Sequence, residues 1–280
     1  METLLPKHPE SYLPLLKRSI LLYRKSFKHI YLFALILAII TFIPRFLSIV
    51  VGQDFLLKLN LFDLHRLWLF LINLISLMLY LSMLWRIHGI IDHLHEPIKE
   101  DLLLGAKKLF IVFISAIIQG LILMAVIGIV LWSQYLMYPL LFPTTNFWET
   151  IFAATILISQ FFIIVYAFTL FIFLAPLIVI ENKGILSALK KTVSLVWNHW
   201  WRTFSLQLTP WISYMLLLVV IRLLFNIDFH VTLIASPDTS LWVSALQAII
   251  FSLFIPWAAA VLLVQLKDLE LRKKLVKKNG

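Results

Sequence analysis

The sequence has no cysteine and few charged residues for its length. Without cysteine, disulfides, zinc–thiolate sites and a thiol nucleophile are excluded. Only 14% of the 280 residues are charged, against about 25% in an ordinary soluble domain, whereas 62% are hydrophobic. A soluble chain of this size could not bury so much apolar surface. We therefore predict that its solvent is lipid and that the fold is all-α and polytopic.

Catalytic motifs are also missing. The sequence contains no G-x-S-x-G, no Walker A loop, no dinucleotide fingerprint and no metalloprotease helix motif. We therefore expect no enzyme and no cofactor. Imidazole and carboxylate groups are densest in one segment, at His88, Asp92, His93, His95 and Glu96. Their spacing matches no zinc pattern, so we expect a solvated turn before Pro97 and no metal, with a transition-metal site as the alternative.

Six apolar stretches are long enough to cross a bilayer, which takes about 20 mostly apolar residues. We predict one membrane domain over residues 1–280. It begins with a basic amphipathic segment at 1–27, on the cytoplasmic side, and ends with a basic cytoplasmic tail at 267–280. The fourth span is long, so a kink at Pro176 is expected. The predicted spans are about 28–51, 67–87, 109–135, 148–180, 203–225 and 241–266.

Basic residues indicate the orientation of these spans. Twenty of the 24 lysines and arginines lie in the N-terminal segment, the segments after spans two and four, and the C-terminal tail. The segments 134–147 and 226–240 contain none. The positive-inside rule then predicts that both termini are cytoplasmic. Because the basic residues flank apolar spans, we expect the net charge of +10 to meet anionic lipid headgroups and not nucleic acid.

A threefold pattern precedes the odd-numbered spans. Dibasic pairs occur at 17/18, 107/108 and 190/191, each in a short stretch with apolar residues at helical spacing. The first such stripe is Leu13, Leu16, Ile20, Tyr23 and Phe27. We predict three repeats of an interfacial helix followed by a helical hairpin, with the apolar stripe at the acyl boundary and the basic face at the headgroups. The alternative is that the pairs are topology signals alone.

One segment carries a resemblance to a known family. Ala175-Pro176 ends an apolar span, an acidic-polar turn follows at Glu181-Asn182-Lys183-Gly184, and a helix with Ala188, Lys190 and Ser194 leads to Trp197. This segment of about 30 residues resembles the YciC-type bacterial membrane proteins. It is also similar to the membrane domain that accompanies some glycerophosphodiester phosphodiesterases. The resemblance implies a six-span protein of the cell inner membrane and implies no catalytic residues.

Two functions are compatible with this sequence. The first is a non-enzymatic protein that organises lipid or acts as a scaffold; its predicted headgroup contacts are Lys17, Arg18, Lys107, Lys108, Lys190 and Lys191. The second is a small transporter or channel for an uncharged or lipid-like solute, with a cavity lined by polar groups at mid-depth. Those groups are Asn73, Gln119, Gln160, Gln207 and Gln247. Arg45 and Arg222 lie near the outer ends of spans one and five, where we expect them to reach the outer headgroups.

Overall fold

The computed structural model describes residues 4–51, 64–92, 94, 97–141, 146–229 and 240–279, and these parts are helical with short connections. Among the described residues, six helical segments are long and apolar enough to cross a membrane, which confirms the predicted fold class. The helices, numbered here in chain order, are α1 (Tyr12–Val51), α2 (Leu64–Ile91), α3 (Ile98–Leu141), α4 (Phe147–Leu170), α5 (Leu174–Val179), α6 (Ile185–Val196), α7 (Trp200–Phe225) and α8 (Leu241–Asn279).

Five of the six predicted spans each lie within one helix, whereas the fourth, 148–180, extends over α4 and α5; several helix ends also differ from the prediction. Helix α3 continues over Pro139 to Leu141, and α8 continues past Leu266 through the basic tail. The fourth span is interrupted at residues 171–173, before the predicted kink at Pro176. Pro176 lies in the first turn of α5, where its missing N–H costs no helical hydrogen bond.

The chain divides into two compact units. One contains Met1–Leu109 and Ser205–Gly280, and the other contains Phe110–Phe204. The first unit is built on α1 and α8, which pack together over much of their length. They run antiparallel, because contacts that move along α1 move back along α8: Glu10 to Asp268, Ser19 to Trp257, Phe42 to Phe251 and Arg45 to Gln247.

These contacts require α1 to bend. The 23 residues from Ser19 to Phe42 would rise about 34 Å in a straight helix, whereas Phe251 to Trp257 rises about 9 Å along α8. Side-chain reach does not bridge that difference, so the axis of α1 changes direction between Ser19 and Phe42. Ser26 lies in this stretch, and its buried hydroxyl donates to the carbonyls of Leu22 and Tyr23 at 2.8 and 3.2 Å. Back-bonding of this kind often bends a helix.

Helix α2 approaches the start of α3 closely in the same unit. A Cβ added to Gly105 would overlap Oγ of Ser82 and would lie 2.8 Å from the carbonyl oxygen of Met78. Beside this crossing, Nη1 of Arg86 donates to the buried carboxylate of Asp101 at 2.9 Å. A glycine and a buried ion pair therefore join the cytoplasmic end predicted for α2 to α3.

In the second unit, a tight turn connects α5 to α6. The left-handed residue in this turn is Asn182, with φ 53°, whereas Gly184 is extended and precedes α6. Asparagine tolerates this conformation better than most residues. Helix α6 packs against α4 and α5, and Oγ1 of its buried Thr192 donates to the carbonyl of Leu170 at 2.9 Å.

Candidate functional site

The first 16 residues of α1 have three distinct sides. The side that packs into the protein consists of residues at helical spacing that are almost fully buried: Leu15, Ser19, Leu22 and Ser26. Oγ of Ser19 accepts a hydrogen bond from Nε1 of Trp257 on α8 at 3.2 Å. The sequence analysis missed this core side, because two of its four residues are serines. Its signal is the spacing of small and apolar residues at i, i+4, i+7 and i+11.

The apolar stripe predicted from the sequence lies on a different side of the same helix. Leu13 and Ile20 are exposed, and Leu16, Tyr23 and Phe27 are partly buried. The rings of Tyr23, Phe27 and Tyr31 follow one another along the helix, with centroids 5.3 and 5.0 Å apart. Since the core side is already used in packing, this second apolar side remains available to an apolar environment.

Exposed cations occupy the third side of this helix. Lys17, Arg24, Lys25 and Lys28 are all exposed. Aromatic rings beside basic residues at the start of an apolar span are typical of a membrane–water interface. The segment therefore combines a core side, an apolar side and a basic side.

Helix α6 repeats much of this arrangement in the second unit. Its core side consists of Ala188, Thr192, Leu195 and Val196, all buried. Leu186 and Lys190 are exposed on the opposite side. Trp197 and Trp201, where α6 turns into α7, are exposed as well, and each contacts a ring of α4: Trp197 meets Tyr166 and Trp201 meets Phe162.

The three segments around the dibasic pairs 17/18, 107/108 and 190/191 have matching exposure at equivalent positions, which are 90 and 83 residues apart. The first member of each pair is an exposed lysine, and the leucine four residues before it is also exposed each time, at Leu13, Leu103 and Leu186. The residue two before that lysine is buried each time, at Leu15, Gly105 and Ala188. The residue five after it is also buried, at Leu22, Val112 and Leu195.

The members of each dibasic pair have different environments. Lys17, Lys107 and Lys190 are exposed and make no hydrogen bond or ion pair with described residues. The second members, Arg18, Lys108 and Lys191, are only partly exposed. The sequence therefore predicts six equivalent headgroup contacts, whereas the structure divides them into two groups of three.

Two of the second members are held by carboxylates. Arg18 donates through Nε to both oxygens of Glu10 at 2.7 and 2.8 Å. Nζ of Lys191 lies 2.6 and 2.7 Å from the oxygens of Glu181. Glu10 also links α1 to α8, since its N–H donates to Asp268 and its carbonyl accepts from Arg272. These two cations have structural roles, whereas Lys17 and Lys190 have no such partner among the described residues.

No family model matches the chain, and no curated protein or solved structure is significantly similar to it. The geometry of its own residues is therefore the basis for a functional hypothesis.

Three of the five amide side chains predicted to line a cavity are hydrogen-bonded between helices. In the first unit, Nε2 of Gln207 on α7 donates to Gln265 on α8 at 2.8 Å. In the second unit, Gln160 on α4 accepts from Gln134 on α3 at 2.7 Å. Amide pairs of this kind hold neighbouring membrane helices together. Gln265 and Gln134 were not predicted as members of the group.

The third of these amides, Gln247, belongs to a buried group around Arg45. Nη1 of Arg45 donates to Oε1 of Gln247 at 2.7 Å, and Nε2 of Gln247 lies 3.2 Å from the hydroxyl of Tyr214. Arg45 is only 2% exposed, so the expectation that it reaches the outer headgroups is wrong. Arg222, by contrast, is well exposed and pairs with Asp228 at 2.8 Å.

The other two amides are not part of an interhelical pair. Asn73 is exposed on α2, and Gln119 is half-buried on α3. Neither side chain makes a hydrogen bond with a described residue. The five predicted groups therefore lie in different environments, divided between the two units.

The histidine-rich segment lies partly outside the described residues, at His93, His95 and Glu96. Within the described part, Nε2 of His88 lies 3.3 Å from the carboxylate of Asp92 one helical turn away. No group of three or more possible metal ligands occurs among the described residues. The prediction of a solvated turn remains a prediction.

Proposed function

We propose that this integral membrane protein binds anionic lipid headgroups and organises the lipid leaflet on its basic side. Lys17, Lys107 and Lys190 make the contacts, and the exposed leucine one turn before each lysine enters the acyl boundary. The protein has no enzymatic activity in this proposal. Its resemblance to the YciC-type proteins supports a bacterial inner membrane, and the distribution of its basic residues supports cytoplasmic termini.

One observation carries this proposal. The N-terminal part of α1 and helix α6 each bury one side in the protein and still present exposed apolar and basic residues on their other sides. A helix whose packing is already satisfied has no structural need for a second apolar side. A bilayer surface matches both remaining sides, because lysine meets phosphate while leucine meets acyl chains. The matching exposure at Leu13, Leu103 and Leu186 favours three repeats of this unit.

The alternative function, a small transporter or channel, has weaker support. Three of the five amides assigned to its cavity are used in hydrogen bonds between helices. An amide that is already paired has less capacity to bind a solute, since a solute must replace the existing hydrogen bond. The bilayer-contact hypothesis uses lysines that have no such partner in the described part of the chain.

The experiment is native mass spectrometry of the protein extracted gently from its own membrane. We expect anionic phospholipid to remain bound to the natural protein. Changing Lys17, Lys107 and Lys190 together to Gln should lower the occupancy severalfold, because each lysine near an anionic surface contributes about 1 kcal/mol. Arg222→Gln is the matched control, since this exposed cation lies at the opposite end predicted for its span.

Lipid binding would be unrelated to the three lysines if the triple variant and the Arg222→Gln control kept the same lipids as the natural protein. A discrete small molecule that is lost on Gln207→Leu or Gln247→Leu would instead support the transporter. The two results therefore separate the two functions.

A further inference from the structure

Asn73 presents an amide to the surroundings of the protein inside an apolar span. It lies six residues beyond Leu67, where the apolar stretch of α2 begins, which corresponds to about 9 Å along the helix. The hydrocarbon core is about 30 Å thick, so the predicted topology places the amide within it, about 9 Å from its outer edge.

The amide of Asn73 is not satisfied by its own helix. Other exposed polar groups in spans, such as Thr155 and Ser159 on α4, donate to the backbone carbonyl one turn back at 2.8 Å. Asn73 makes no hydrogen bond with any described residue. Its side chain has two donor hydrogens and an acceptor oxygen, and acyl chains can bond neither. Among the described residues the amide has no partner, and a polar group from a second molecule would satisfy it.

We propose that this group is Asn73 of a second copy and that the protein forms a dimer through α2. Copies inserted in the same direction can be related by a twofold axis only if that axis runs along the membrane normal. Such an axis brings equal depths together, so each residue near it meets itself. An amide is self-complementary, since it donates to and accepts from an identical amide. Interhelical hydrogen bonds between asparagines stabilise membrane helix pairs.

The neighbours of Asn73 supply an apolar contact around the amide. Phe70 lies about 60° from Asn73 around the helix and is 44% exposed. Ile75 is 46% exposed at nearly the same depth, but it lies about 160° from Asn73. The proposed interface therefore contains Phe70 and excludes Ile75, although the two side chains are equally accessible.

The absence of cysteine allows a direct test in native membranes. Single variants Phe70→Cys and Ile75→Cys are oxidised with copper phenanthroline and analysed on a non-reducing gel. We expect a disulfide-linked dimer from Phe70→Cys and little from Ile75→Cys. Adding Asn73→Leu to Phe70→Cys should lower the dimer yield, since self-association should weaken by about tenfold. Adding Asn73→Gln should preserve much of it, because glutamine keeps the amide.

Equal cross-linking of the Phe70→Cys and Ile75→Cys variants would overturn the proposal, because it would indicate random collision. A yield unchanged by Asn73→Leu would also overturn it, because the amide would then play no part. A discrete dimer by native mass spectrometry that is lost only in the leucine variant would support it. These outcomes do not depend on the lysines assigned to lipid, so each proposal can fail alone.

Discussion

Gly105 determines how closely α2 and α3 can approach at their crossing. A methyl group at this position would overlap Oγ of Ser82 and the backbone oxygen of Met78, and a backbone atom cannot move out of the way by rotating a side chain. Close approach through small residues is a main source of packing energy between membrane helices, since lipid gives them no hydrophobic drive to associate.

Gly105→Ala should therefore destabilise the protein by about 1–3 kcal/mol, which is typical of overpacking. The measurement is thermal unfolding in detergent, followed by loss of helical circular dichroism or by aggregation. Gly120→Ala provides the control, because nothing lies within 4 Å of its added Cβ. The control should be neutral or slightly stabilising, since alanine favours helix over glycine. Equal effects of the two changes would contradict the close approach seen at Gly105.

The serines of α1 also have roles that depend on neighbouring helices. Ser19 accepts from Trp257, and Ser26 donates to carbonyls of its own helix where α1 bends. Both are buried although their residue type favours the surface. A sequence pattern based on apolar residues therefore finds the exposed stripe of α1 and misses its core side.

Two ion pairs of this protein differ strongly in burial. Arg86 and Asp101 connect α2 to α3 with the carboxylate fully enclosed, whereas Arg222 and Asp228 form a pair at the surface, with side chains 63% and 64% exposed. Removing one partner from a buried pair leaves a charge without compensation, while water solvates the remaining partner of an exposed pair.

Asp101→Ala should therefore cost about 3–5 kcal/mol of stability, and Asp228→Ala about 0–1 kcal/mol. The measurement is the unfolding midpoint of each variant in the same detergent. Arg86→Met combined with Asp101→Leu should recover a large part of the loss, because it removes both charges. If Asp101→Ala and Asp228→Ala had the same effect, the pair between α2 and α3 would not be buried in the folded protein.

Two glutamates, Glu10 and Glu181, affect which cations of the dibasic pairs remain exposed. Glu10 and Glu181 hold Arg18 and Lys191, whereas Lys17 and Lys190 stay exposed one residue earlier. Adjacent residues differ by about 100° around a helix, so the two members of a dibasic pair cannot share one environment. A pair of adjacent cations is thus divided between packing and the surface by helix geometry.

At the scale of the whole molecule, the proposed topology places all three exposed lysines on one face of the membrane. Single variants Lys17→Cys, Lys107→Cys and Lys190→Cys should react with a membrane-impermeant maleimide from the same side. Asp228→Cys should react only from the other side, because this exposed residue follows the end of α7. Labelling of Lys107→Cys from the opposite side to Lys17→Cys would contradict an even number of spans between them.

The proposed dimer and the proposed lipid contacts lie at different depths. Asn73 lies about 9 Å inside the predicted outer end of span two, while Lys17, Lys107 and Lys190 lie near the predicted cytoplasmic face. An increase in salt should therefore weaken anionic lipid retention, since exposed charges are screened, and should leave the Phe70→Cys cross-link unchanged. Parallel loss of both with salt would contradict the separation of the two sites.

The sequence by itself determined that the chain is helical and apolar enough for six membrane spans. Hydropathy and helix propensity act over short stretches of chain, and a backbone in lipid must form its hydrogen bonds within each helix. The dibasic pairs and their spacing are equally local, so their six cations could be selected in advance. Which three of them stay exposed could not be predicted.

Only the tertiary structure decided which polar residues are buried and what they bind. Arg45 lies near the end of an apolar stretch and is buried because Gln247, some 200 residues later, comes into hydrogen-bond distance. Gln207 and Gln160 form hydrogen bonds with amides of other helices, whereas Asn73 stays exposed. In the sequence, all three are equally amides within apolar spans. The partner of an amide depends on which helices become neighbours. That arrangement follows from the packing of the whole chain and cannot be read from a local segment.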